Sequence, residues 1–239
     1  MRSHSLPVRF LGLAASLLLA ACASQPPQAP TPSVPTQVSN AEWATDMARF
    51  AAQDALNPPP KHAVLFVGSS SIRLWASLAE DFPGIPVINR GFGGSEIRDS
   101  TWYADRIILP YQPRMVVLYA GDNDLASGRS PQQLRDDFVA FVRRVRHGLP
   151  GVPIVFISCK PSPSRAELLD AQRRANALIR AEAAKMKGVR FVDVFTPMLD
   201  ANGQPRAELF REDRLHMTRA GYDICRDAVT PYLQTGGTR

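Results

Sequence analysis

Val64-Leu65-Phe66-Val67-Gly68-Ser69-Ser70-Ser71-Ile72-Arg73-Leu74-Trp75 is an apolar run that stops at a glycine, crosses three serines and resumes with helical spacing. It reads as a buried strand, a tight turn and the start of a helix. A serine at such a turn stands at the edge of a sheet beside helix N-terminal N–H groups. A nucleophilic hydroxyl, and the negative charge its reaction develops, can be held there. In isolation the same serine is more simply a helix N-cap. The rest of the chain has to decide between the two roles.

Working outward, apolar runs at 63–67, 85–88, 115–119, 153–158 and 189–194 alternate with helical stretches. That alternation predicts a five-stranded parallel sheet with helices on both faces, a three-layer α/β/α sandwich. Helices are expected at 40–56, ahead of Pro58-Pro59-Pro60, and at 131–147, where Leu134, Phe138, Phe141, Val142 and Val145 share a face. Two more are expected at 165–187 and, capped by Thr218, through Tyr232. No internal repeat is present.

Asn89-Arg90-Gly91-Phe92-Gly93-Gly94-Ser95 follows the second apolar run and Tyr119-Ala120-Gly121-Asp122-Asn123-Asp124 ends the third. Both blocks are therefore expected in loops at the carboxyl edge of the sheet, where open α/β folds form their sites. Asp213-Arg214-Leu215-His216 stands just before the final helix. In this order the four blocks resemble the SGNH hydrolases, also called GDSL-type esterases and lipases, from about residue 63 to the last helix. The resemblance implies the SGNH, flavodoxin-like hydrolase fold and ester hydrolysis that needs neither metal nor cofactor. It also implies roles: Ser70 as nucleophile, His216 as base, Asp213 as its carboxylate, and an oxyanion hole from the N–H groups of Ser70 and Gly94 and the side chain of Asn123.

This chain departs from the family at one place: the usual Gly-Asp-Ser is Gly68-Ser69-Ser70. That aspartate is not the triad carboxylate, and aligning Gly68 and Trp75 with the family block puts the nucleophile at Ser70 rather than at Ser69 or Ser71. Each residue also has a plain structural role. Gly94 suits a turn with positive φ, Asn123 an Asx-turn, and Asp213 with His216 a surface pair. Their co-occurrence in order, at sheet-edge positions, favours the catalytic reading. Asn89, Arg90, Glu96, Lys160 and Arg165 fall near loop ends and are candidates to line the cleft. Lys160-Pro161-Ser162-Pro163-Ser164-Arg165 reads equally as a substrate-contacting loop and as a rigid proline turn.

Other chemistries fail on spacing. Gly91-Phe92-Gly93-Gly94-Ser95-Glu96 lacks the last glycine of G-x-G-x-x-G, and no Walker A sequence occurs. Gly68-Ser69-Ser70-Ser71-Ile72 lacks the second glycine of the G-x-S-x-G elbow. Asp122-Asn123-Asp124 has no closing glutamate for a calcium loop, so no metal is predicted.

Arg2 and Arg9 followed by apolar residues 10–21 read as a secretion signal at 1–21. Leu19-Ala20-Ala21-Cys22 resembles a bacterial lipobox, which implies lipidation of Cys22; Ala23, in place of aspartate, favours the outer membrane. Residues 22–40, rich in Gln, Pro, Ser and Thr, are expected to form a disordered tether, and 41–239 the hydrolase domain. The expected location is thus the bacterial cell envelope, with a lipid anchor at the membrane and the domain facing the periplasm.

Formal net charge is +6, and Arg2 and Arg9 leave with the signal. The remaining basic residues spread along helices without interleaved aromatics, which argues against nucleic acid as a partner. Cys159 and Cys225 are left open, as a disulfide or as two buried thiols. The expected substrate is a small-molecule or glycan ester with a short acyl or acetyl group, since no long apolar lid is present. A lysophospholipase or thioesterase on longer chains, and a non-catalytic envelope-binding lipoprotein, are the alternatives.

Overall fold

The computed structural model describes Met1, residues 38–40 and residues 42–233. The signal, Cys22 and nearly all of the tether lie outside the described residues. Five strands, β1 (Val64–Gly68), β2 (Val87–Gly91), β3 (Met115–Tyr119), β4 (Ile154–Ile157) and β5 (Val189–Val192), form one sheet in the order β2-β1-β3-β4-β5. All pairs are parallel. The chain moves from β1 to β2 on one side and then crosses to β3 on the other, so the carboxyl ends of β1 and β3 flank the switch point where open sheets leave a crevice.

Strand periodicity splits the core into two layers. Leu65, Val67, Val116, Leu118, Ile154 and Phe156 face one side; Val64, Phe66, Met115, Val117, Val155 and Ile157 face the other. The main helices are α1 (Trp43–Leu56), α2 (Ser70–Arg73), α3 (Leu78–Asp81), α4 (Ile97–Trp102), α5 (Ala104–Ile107), α6 (Asp122–Ala126), α7 (Pro131–Gly148), α8 (Leu169–Lys185) and α9 (Arg219–Leu233). The first face packs against α1, α4, α5, α7 and α8 through residues such as Met47, Ile97, Ile107, Phe138 and Ile179. The second packs against α2, α3 and α9 through Ile72, Leu78, Tyr222 and Val229. This is the three-layer sandwich expected from the sequence.

Cys159 and Cys225 are both free and buried. Cys159 belongs to the layer on the first face and Cys225 to that on the second, so the sheet itself separates them.

Several boundaries differ from the sequence expectation. Strand β2 continues to Gly91, which places Asn89 and Arg90 in the strand rather than in a loop. Asn89 closes that strand against α2 by donating to the Ile72 carbonyl at 2.7 Å. The helix expected from residue 165 begins at Leu169, after a 3-10 stretch at Pro163–Leu168 in which Arg165 leaves helical geometry (φ −131°, ψ 34°). Thr218 precedes α9, its hydroxyl donating to the Glu208 carbonyl at 3.2 Å. At the other end, Ser39 falls within the stretch read as tether, yet its N–H and hydroxyl both donate to the Asp99 carboxylate at 2.6 Å.

Candidate active site

Gly68 ends β1 with φ 134°, and a Cβ there would stand 1.8 Å from the Tyr119 carbonyl oxygen. Only glycine allows the chain to turn this tightly against β3. The turn carries Ser69 to the N-cap position of α2 and Ser70 to its first residue. Ser69 and Ser71 are buried, and only Ser70 of the three is half-exposed and lines a cleft of about 390 Å³.

His216 reaches this serine from the loop before α9. Its Nε2 lies 3.0 Å from Ser70 Oγ, and its Nδ1 lies 2.6 Å from Asp213 Oδ2. The carboxylate is itself fixed, because Asp213 Oδ1 accepts from the N–H groups of Leu215 and His216, each at 2.9 Å. Those backbone donors, His216 first, and then the imidazole hold the Asp213 carboxyl well below the usual carboxylate range. It is therefore ionised at neutral pH, and accepting from Nδ1–H leaves the Nε2 lone pair aimed at the serine. The loop is tied down from a second side where the Ser164 N–H donates to the Arg214 carbonyl at 3.0 Å.

Gly94 and Asn123 complete the cleft from the ends of β2 and β3. Gly94 has φ 80°, so it occupies the left-handed region, and Trp43 of α1 packs where a Cβ would project. The Asn123 amide is oriented by two opposed contacts: Nδ2 donates to the Ser95 carbonyl at 3.0 Å, and Oδ1 accepts from Arg165 Nη2 at 3.0 Å. The second Nδ2 hydrogen remains for a ligand. Behind it, the buried Asp122 carboxylate meets Lys160 Nζ at 3.0 Å and Arg165 Nη1 at 3.2 Å. Burial would raise the Asp122 carboxyl, but the charges of Lys160 and then Arg165 outweigh it and hold the group below its ordinary value.

Of the other residues expected near the cleft, only Arg165 lines it. Arg90 is buried and pins α1 to the sheet through Asp54 and the Tyr111 hydroxyl. Glu96 forms a capping box on α4 with Asp99, and Lys160 is consumed by Asp122. The aspartates of the Asp122-Asn123-Asp124 run diverge: Asp124 turns the other way and accepts from the Ile97 N–H at 3.0 Å. The cleft also contains Asp46, Arg73, Gly93 and Leu215, which the sequence reading did not single out. Arg73 had a signal, its position one helical turn beyond Ser70; Asp46, on a helix far upstream, had none.

Residues 67–224 match the sequence profile of the GDSL-like Lipase/Acylhydrolase family. No curated protein matches the chain. Among solved structures, a Streptococcus pneumonia protein provisionally identified as a platelet activating factor superposes with a TM-score of 0.71 at 21% identity, over 80% of this chain and 92% of that one. A GDSL-like lipase from Bacteroides thetaiotaomicron gives 0.67 at 22% identity, over 79% and 97%. A catalytic mutant of an acetylxylan esterase from Geobacillus stearothermophilus gives 0.59 at 13% identity, over 76% and 99%. At these identities the likeness is one of fold.

Proposed function

The chain belongs to the GDSL-like lipase/acylhydrolase family and is a carboxylic ester hydrolase, and on that premise we propose that it removes short acyl groups, acetyl foremost, by a Ser70-His216-Asp213 mechanism. The observation that carries the proposal is the unbroken hydrogen-bonded line from Ser70 Oγ through His216 to Asp213. In it a weak nucleophile meets a base whose orientation a carboxylate fixes. Ser70 Oγ attacks the ester carbonyl as His216 Nε2 takes its proton. The tetrahedral oxyanion is met by the N–H groups of Ser70 and Gly94 and the free Nδ2 hydrogen of Asn123. The intermediate collapses, His216 returns the proton to the departing alcohol, and water repeats the sequence to free the acid.

Short acyl groups are favoured by what surrounds the serine. The cleft is small, and among the described residues Leu215 is the only large aliphatic side chain that lines it. A long acyl chain would find little apolar surface there to repay its transfer from water. Kinetics on p-nitrophenyl esters from acetate to decanoate test this reading. The highest kcat/KM is expected at acetate or butyrate, and a profile rising toward decanoate would overturn the short-chain assignment in favour of a lysophospholipase or thioesterase. Activity on none of the series would move the non-catalytic reading to the front.

The oxyanion hole makes its own prediction. Asn123→Ala removes one donor to the developing charge, so kcat is expected to fall by ~10²–10³-fold with KM little changed. Steady-state kinetics on p-nitrophenyl acetate measure the split, and a rise in KM at unchanged kcat would assign Asn123 to ground-state binding instead. We further assign the enzyme to the cell envelope through a lipid anchor on Cys22, acting on small-molecule or glycan esters. The envelope assignment rests on the sequence of residues 2–23, the substrate class on the family.

A further inference from the structure

We propose that the alcohol side of the substrate carries an anion, a carboxylate or a phosphate, and that Arg73 is the residue that recognises it; the proposal rests on the reading of Ser70 as the nucleophile. Arg73 closes the single turn of α2 that Ser70 opens, so the two side chains lie three residues apart on one side of the turn. Its guanidinium is laid across Gly93. A Cβ at Gly93 would come within 2.8 Å of Arg73 Nε and 2.9 Å of Nη2. Gly93 does not have positive φ, so backbone freedom does not account for a glycine there. The bare position instead leaves room for the guanidinium beside the oxyanion loop.

The charges around the cleft leave this one unanswered. Arg165 is held by Asp122 and Asn123, Asp46 is paired with Arg49 at 2.6 Å, and Asp213 is committed to His216. Arg73 itself makes no ion pair or side-chain hydrogen bond with any described residue. A guanidinium offers a planar fork of donors that matches a carboxylate or phosphate edge. A short acyl group has no place for such an anion, which puts it on the alcohol.

Paired acetyl esters test the proposal with the full chain: 4-acetoxybenzoate and 4-acetoxyphenyl phosphate as the two anions, 4-acetoxybenzamide as the neutral partner. The parent is expected to favour an anionic ester by about tenfold in kcat/KM, the worth of one charge-assisted contact in a half-exposed cleft. Whichever anion gains more identifies the natural group as carboxylate or phosphate. In Arg73→Gln that ratio should fall to near one, Arg73→Lys should retain part of it, and Gly93→Ala, which displaces the guanidinium without removing it, should behave like Arg73→Gln. A parent ratio of one or less, or a ratio that survives Arg73→Gln, overturns the proposal.

Calorimetric titration of 4-acetoxybenzoate and 4-acetoxybenzamide into Ser70→Ala, with and without Arg73→Gln, separates this inference from the hydrolytic one. Arg73-dependent preference for the anion without turnover in the parent would keep the anion site and sink the esterase mechanism. Turnover of the neutral ester with no preference in either measurement would do the reverse.

Discussion

Ser70→Ala is expected to lower kcat/KM on p-nitrophenyl acetate by about 10⁴-fold or more, with His216→Ala losing a comparable amount. On the proposed mechanism the two residues act as one unit. Without the hydroxyl there is nothing for the imidazole to activate, and without the imidazole the hydroxyl keeps its proton. The double variant should therefore be no worse than the poorer single one, whereas independent contributions would multiply. What rate remains should come from the oxyanion donors acting on bound ester and water. Ser70 is half-exposed in a cleft, so its truncation should leave the melting temperature within a degree or two of the parent. A Ser70→Ala enzyme with most of its activity would mean that another serine attacks or that the cleft is not the site.

Asp122→Asn is expected to produce the largest loss of stability, about 3–5 kcal/mol, because it strands the ammonium of a buried Lys160 without its counter-charge. Lys160 is 1% exposed, and among the described residues its only ion-pair partner is Asp122. In a domain of this size the loss corresponds to a fall in Tm on the order of 10 °C. The Asp122 carboxyl sits below its ordinary value in the folded state, so its contribution is complete at neutral pH and fades as pH falls through the folded pKa. The gap between parent and variant should accordingly narrow in acid. Adding Lys160→Met to Asp122→Asn removes both charges and should recover a large part of the loss. Thermal melts at pH 7 check both statements. An unchanged Tm in Asp122→Asn would show that water or another acceptor satisfies Lys160. Activity should fall with stability, because Arg165 then loses the carboxylate that holds it against Asn123.

The central strands β1, β3 and β4 are buried on both faces and so read as unbroken apolar runs, whereas β2 and β5 also carry Asn89, Arg90 and Arg190; helical periodicity marked α7, and Thr218 marked the start of α9. The start of α2 was legible from the turn before it, but the turns from α3 to α6 were not, being four to six residues long and too short to show a period. Arg90 and Asn89 followed an apolar run that seemed to end at Ile88, but pairing of Gly91 with Gly68 carries the strand past them. Arg165 reads from sequence both as the end of the 160–165 loop and as the first residue of a helix. Two prolines nearby and the pull of Asp122 and Asn123 hold it in a 3-10 stretch outside helical geometry.

The candidate site was legible where chemistry leaves local signatures, in a serine after a strand, an asparagine after another and a histidine three residues from an aspartate. Of the residues that support it, Lys160 and Arg165 stood out at a loop end but their pairing with Asp122 did not, and Asp46 and Trp43 left no signature at all. Lys160 and Arg165 meet Asp122 across about forty positions of chain, and Asp46 and Trp43 reach the cleft from α1. Charge pairing of that kind depends on the tertiary fold rather than on spacing.

The central claim is that Ser70, and neither of the serines beside it, is the nucleophile. Treating the enzyme with a fluorophosphonate and sequencing the labelled peptide by tandem mass spectrometry tests it directly, since Ser69, Ser70 and Ser71 lie in the one tryptic peptide that ends at Arg73. A single adduct on Ser70, absent from Ser70→Ala and strongly slowed in His216→Ala, is the predicted result. An adduct on Ser69 or Ser71, or no adduct on an enzyme that still cleaves esters, would contradict the account.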